Sequence, residues 1–210
     1  MNEVIAEIKI ENIYTPVINT SKSTETRNYY NHHFNDDEVN LRFDQGFVWY
    51  QDFVSFCMLT DYRGYWIKIA VKDNLELDPV IVNPRKFEAV GTASVMILPF
   101  QVKSKERIEV FGDHEGSVIL SFILRPGHYQ LLFQNRYFTR EEIEAEPNFD
   151  CENLECDDWK EPLEFCLLTF IPTIEPIEPK IFTYKSPLGT KEFSQPLILY
   201  DKKLYQNNED

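Results

Sequence analysis

Residues Val118–Gln134 read VILSFILRPGHYQLLFQ. Two short runs rich in β-branched and aromatic residues flank Arg125-Pro126-Gly127. Proline presets its own φ and lacks an amide donor, and glycine accepts dihedrals closed to other residues, so the triplet is a tight reversal. Neither run carries the three-to-four-residue apolar repeat of an amphipathic helix. The expectation is a pair of strands joined as a hairpin.

The same grammar repeats in both directions along the chain. Ala93–Val102 and Arg107–Phe111 are separated by the polar link Lys103–Glu106 and predict another hairpin. Pro99 within the first run predicts an edge strand or a bulge, because proline cannot donate to a ladder. Gly46–Leu59 and Tyr65–Lys72 flank Asp61-Tyr62-Arg63-Gly64 and predict a third hairpin, in which Trp66, Lys68, Ala70 and Lys72 face away from Tyr65, Ile67, Ile69 and Val71. In Val4–Ile10, residues Val4, Ala6, Ile8 and Ile10 share one face, and Glu7 and Lys9 the other.

Glu164–Ile171 and Ile181–Tyr184 supply later strands, with Pro172, Pro176 and Pro179 excluding a helix between them. Thr139 followed by Glu142 has capping-box spacing and predicts the start of one short helix. Thr15–Asn40 is polar, poor in aliphatic residues, and reads as a long loop. These elements together predict an all-β fold, an antiparallel β-sandwich of roughly nine strands with at most one short helix, in a single domain over 1–210.

Charge narrows the partner. The chain of 210 residues carries a formal charge of -14. Glu141–Glu161 holds ten carboxylates against one base, Lys160. Affinity for phosphate comes largely from Lys and Arg displacing counterions, so the charge argues against direct nucleic-acid binding. A basic protein partner drawn in by electrostatic steering fits, and plain solubility is the competing account.

The first residues lack the cationic start and continuous apolar run of a secretory signal. The longest apolar runs, such as Val118–Leu124, fall far short of a bilayer span. The expectation is a cytoplasmic protein whose Cys57, Cys151, Cys156 and Cys166 are reduced.

Chemical constellations are sparse. His32-His33 followed by Asp36-Asp37-Glu38 has metal-ligand residue types, but its polar surroundings favour a solvated loop. The carboxylates around Cys151-x4-Cys156 disfavour the thiolate that zinc needs. His114 and His128 have no nucleophile motif beside them, and neither dinucleotide nor phosphate loops occur. The chain therefore reads as a non-enzyme without cofactor or resident metal. Phe47, Trp49, Phe53, Phe56 and Trp66 form an aromatic set that either lines a sugar site or fills the core, and the core reading is preferred.

Three stretches in order resemble the ComJ competence protein family. The first runs from Asp36-Asp37-Glu38 through Asp44-Gln45-Gly46-Phe47 to Val54-Ser55-Phe56. The second is Val95–Val102 (VMILPFQV) followed by Arg107-Ile108-Glu109-Val110, and the third is Leu124–Phe133 (LRPGHYQLLF). The resemblance covers about 4–135 and implies a small intracellular inhibitor of a DNA-entry nuclease. The family's short members would end near Asn135, which leaves an acidic linker at 139–161 and C-terminal strands within 162–205.

Physical chemistry supplies a route for such inhibition. A nuclease site attracts phosphates with basic side chains and usually a divalent metal, and carboxylates on a rigid scaffold can occupy those positions. The candidate surface comprises Asp36, Asp37, Glu38 and Asp44, joined by Glu141, Glu142, Glu144, Asp157 and Asp158. The alternatives are an immunity protein against another basic toxin and a carbohydrate-binding or carbohydrate-active β-sandwich.

Overall fold

Alternating burial along successive strands builds two sheets that share one apolar core. The computed structural model describes residues 3–10, 17–20, 46–50, 53–56, 58–59, 65–83, 85, 93–103, 105–111, 118–145 and 164–183. In chain order the elements are β1 (Glu3–Ile10), β2 (Val17–Thr20), β3 (Phe47–Tyr50), β4 (Phe53–Phe56) and β5 (Tyr65–Val71). They continue with α1 (Pro79–Val82), β6 (Ala93–Val102), β7 (Ile108–Phe111), β8 (Val118–Phe122), β9 (Gly127–Tyr137), α2 (Arg140–Ala145), β10 (Glu164–Thr173) and β11 (Lys180–Thr183).

Six strands form one sheet in the order β1-β5-β10-β9-β6-β11, and five form another in the order β3-β4-β2-β7-β8. The described residues therefore hold eleven strands, not roughly nine, and two short helices, not one. The extra helix, α1, is built from local signals: Pro79 stands in its first turn, and Asp78 caps it by accepting from Val80 N at 2.7 Å.

The six-stranded sheet is mixed, which corrects the antiparallel expectation. β10 runs parallel to β5, from Tyr65↔Glu164 to Val71↔Phe170, and antiparallel to β9. Strands so far apart in sequence are freed from the tight-turn geometry that forces neighbours antiparallel.

The three expected hairpins are crossovers between sheets. β4 and β5, β6 and β7, and β8 and β9 each lie in different sheets. A turn signal in the sequence does not decide whether two strands pair edge to edge. Burial decides it: β9 is apolar on both faces, with Leu131, Leu132 and Phe133 all buried, so it takes a central position. Its two edges are used by β6 and β10, leaving none for β8. The true hairpin lies inside the expected strand Gly46–Leu59, where Phe47 pairs with Phe56 and Tyr50 with Phe53.

The alternation in β5 is as expected, with Tyr65, Ile67, Ile69 and Val71 in the main core. These join Met96, Leu98, Phe100 and Val102 of β6, Leu131 and Phe133 of β9, and Cys166, Leu168 and Phe170 of β10. The other sheet contributes Ile18, Phe47, Val54, Phe56, Ile108 and Val110 to the same cluster. A smaller cluster, Val95, Ile97, Leu132 and Ile171, lies on the opposite face of the six-stranded sheet and is covered by Leu77, Ile81 and Ile177.

β1 departs from strict alternation. The register jumps between Val4↔Ala70 and Ala6↔Ile69, so a bulge at Ile5 flips Val4 outward and leaves it 56% exposed. Pro99 sits where β11 no longer covers β6, since β11 pairs only with Val95, Met96 and Ile97. Its missing donor thus falls on an uncovered stretch, and its carbonyl accepts from Trp49 Nε1 at 2.5 Å. No helix among the described residues is long and apolar enough to cross a membrane.

Candidate functional site

The end of β9 carries two buried polar clusters on opposite faces of its sheet. Alternation sends Asn135 towards the main core and Gln134 and Arg136 to the other side. The first cluster centres on Glu164, which is buried at the start of β10. Glu164 Oε2 accepts from Asn135 Nδ2 at 2.7 Å and from Leu59 N at 2.9 Å. Its neighbours feel that environment: burial pushes the Cys166 thiol well up, and the Glu164 charge adds to it. Burial likewise pushes the Tyr65 phenol up, with Cys166 and Glu164 adding.

The second cluster centres on Arg136, only 3% exposed. Its guanidinium binds Glu142 with two parallel bonds, Nη1 to Oε2 at 2.8 Å and Nη2 to Oε1 at 2.7 Å. Nη2 also donates to Asp78 Oδ2 at 3.1 Å, and Nη1 to the Tyr137 carbonyl at 3.0 Å. The Phe165 ring, opposite Arg136 in the β9–β10 register, lies 5.0 Å from the guanidinium carbon. A buried charge is tolerated only when paired and hydrogen-bonded; the two Nη groups meet both conditions, while the buried Nε has no hydrogen-bond partner among the described residues.

Glu142 also closes the capping box of α2. Its amide donates to Thr139 Oγ1 at 3.2 Å, and its Oε2 accepts from Thr139 N at 2.8 Å. Burial pushes the Glu142 carboxyl up, but the bonds from Arg136 and Thr139 outweigh it and hold the group below the usual glutamate range. For Arg136, burial acts downward, and the two carboxylates reverse it and raise the pKa.

Of the sequence-predicted surface, Asp36, Asp37, Glu38, Asp44, Asp157 and Asp158 lie outside the described residues, as do His32, His33, Cys57, Cys151 and Cys156. The structure places Glu141, Glu142 and Glu144 on α2. Glu141 and Glu144 are exposed, and Glu144 forms an exposed pair with Arg140 at 2.7 Å. Glu142 is only half-buried by area but is committed to Arg136 and Thr139. Because Glu164 pairs with Tyr137, β9 ends where β10 begins, at the same end of two adjacent strands.

Sequence reading missed Arg136, Asp78, Asn135 and Glu164. The available signal was parity: Asn135 and Glu164 stand at inward positions of strands that are otherwise apolar there. From the aromatic set, Phe47, Phe53 and Phe56 are fully buried, so they fill the core and offer no stacking platform.

No curated protein matches the chain. Among solved structures, the chain is similar to ComJ from Bacillus subtilis, described as an inhibitor of the DNA degrading activity of NucA. The two share 12% identity and a TM-score of 0.51 over 82% of this chain and 99% of that one, which shows a common fold. A second similar structure, "Crocagin biosynthetic gene J", has 16% identity and a TM-score of 0.43 over 82% of this chain and 98% of that one. The family model for Competence protein J (ComJ) matches residues 23–153, well over half of the sequence, and the chain belongs to that family.

Proposed function

We propose that the protein is a non-enzymatic, cytoplasmic inhibitor of a metal-dependent DNA-entry nuclease. The observation that carries this reading is the family match over residues 23–153, which runs past Asn135 into the acidic segment. The fold shared with the Bacillus subtilis inhibitor of NucA supports it. In this reading the two sheets stack as a β-sandwich and form the rigid support for an acidic surface.

The inhibitory chemistry is charge complementarity. A nuclease site holds phosphates with cations, and carboxylates from Asp36, Asp37, Glu38, Asp44, Asp157 and Asp158, with Glu141 and Glu144 of α2, take the phosphate positions or cap the metal. The formal charge of -14 speeds encounter with such a basic site. The metal belongs to the nuclease.

A plasmid-digestion titration tests the proposal, with purified protein added to the host's DNA-entry nuclease at fixed magnesium and the series repeated at high salt. Inhibition that saturates near one equivalent and weakens with salt is the expected result. No inhibition, together with no complex on gel filtration, overturns it.

A further inference from the structure

We infer that Arg136 is the positioning residue of α2 and that Glu142 works inside the protein, leaving Glu141 and Glu144 as the contacting carboxylates of that helix. The inference rests on the nuclease-inhibitor reading and refines which groups carry it. Its basis is that one buried guanidinium holds the capping residues of both helices.

Asp78 caps α1 and Glu142 closes the capping box of α2, and Arg136 Nη2 reaches both, at 3.1 Å and 2.7 Å. Asp78 is further fixed by its own amide, which donates to Gln134 Oε1 at 2.7 Å from the same face of β9. α2 has only six residues and no buried residue of its own, so packing of an apolar face does not hold it. A helix this short is unstable without tertiary support. Support comes from the Arg136–Glu142 fork, which spends both Glu142 oxygens internally.

Glu142 is thus ill-suited to meet a partner, because a partner cation would have to displace a bidentate pair to reach it. Glu141 and Glu144 project from the same helix without such ties, apart from the exposed Arg140 pair, and exposed pairs contribute little.

The test combines amide exchange with inhibition in the full chain. The Ile143 amide donates to the Thr139 carbonyl at 3.1 Å and reports the first turn of α2. Arg136→Met and Glu142→Gln are expected to speed Ile143 exchange at least tenfold and weaken nuclease inhibition about tenfold, with the salt dependence of inhibition unchanged. Glu141→Gln and Glu144→Gln are expected to leave Ile143 exchange as in the wild type while making inhibition both weaker and less salt-dependent.

Glu142→Gln with protected Ile143 and a reduced salt dependence would make Glu142 a contact residue and overturn the inference. So would fast exchange in Arg136→Met or Glu142→Gln with undiminished inhibition. If Arg136→Met does not fold, Glu142→Gln decides alone. A wild-type chain that inhibits no DNA-entry nuclease overturns the functional reading itself, and Ile143 exchange then still decides whether Arg136 anchors α2.

Discussion

Phe56 of β4 and Phe133 of β9 stack with ring centroids 4.0 Å apart and planes 3° from parallel. One ring comes from each sheet and both are fully buried, so the pair ties the sheets through the middle of the core. Phe133→Ala removes the contact and leaves a cavity, and is expected to cost about 3–5 kcal/mol. Phe133→Leu should cost less, because it keeps most of the apolar volume. Urea midpoints at constant slope check both, and an alanine variant of near wild-type stability would refute the role.

Glu164 separates charge from hydrogen bonding. Glutamine retains an oxygen for Leu59 N and Asn135 Nδ2, so Glu164→Gln is expected to cost less than about 1.5 kcal/mol. Glu164→Leu strands two buried donors, each costing about 1–3 kcal/mol. Equal losses in the two variants, measured by chemical denaturation, would show that the carboxylate charge matters and the hydrogen bonds do not.

The depressed Glu142 pKa fixes a sign for acid stability. A carboxyl held lower in the folded state than in the unfolded one contributes fully above the ordinary glutamate value of about 4.3 and loses that contribution as pH falls through its folded value. Unfolding free energy should therefore drop with acid below that point, and Glu142→Gln should drop less steeply there. Denaturation series in parallel across that range, with and without the substitution, give the comparison.

Cys166 is fully buried and its thiol is pushed well above the usual value, so both access and thiolate are denied to a reagent. Site-resolved mass spectrometry after alkylation should find Cys166 unmodified in native protein and modified in denaturant. Native labelling at Cys166 would mean that the core opens between β5 and β9.

Glu141 and Glu144 are exposed, so their replacement by glutamine should change stability by no more than about 0.5 kcal/mol. Under the proposed inhibitory role, loss of the carboxylates should weaken the complex more at low salt than at high salt. Stability and inhibition measured on the same samples separate the two.

Local features were read correctly where the controlling interaction is local. The Thr139–Glu142 box forms, and the outward Lys68 of β5 meets Glu7 of β1 at 2.9 Å. Pairing partners were misread where several solutions satisfy the same pattern. Arg125-Pro126-Gly127 turns the chain equally well for a hairpin or a crossover, and only competition for the edges of β9 selects the crossover. The Ile5 bulge is not legible because Val4-Ile5-Ala6 is a continuous apolar run that leaves open which residue faces the core. For the candidate site, the division between Glu142, bound to Arg136, and its exposed neighbours was not legible, because it depends on a strand residue six positions upstream. The remaining predicted acids lie outside the described residues.

Placing β10 between β5 and β9 has a consequence for how the protein comes into being. Tyr65 pairs with Glu164, ninety-nine positions later, so the middle of the larger sheet is the last of its interior to leave the ribosome. Until then β5 and β9 each hold an unmatched edge, and contacts this distant in sequence form slowly. Nascent chains that stop short of Glu164 are expected to be sticky and incompetent rather than partially active. The larger sheet therefore closes only once β10 has been made, and the interval before it is the one in which open strand edges invite aggregation.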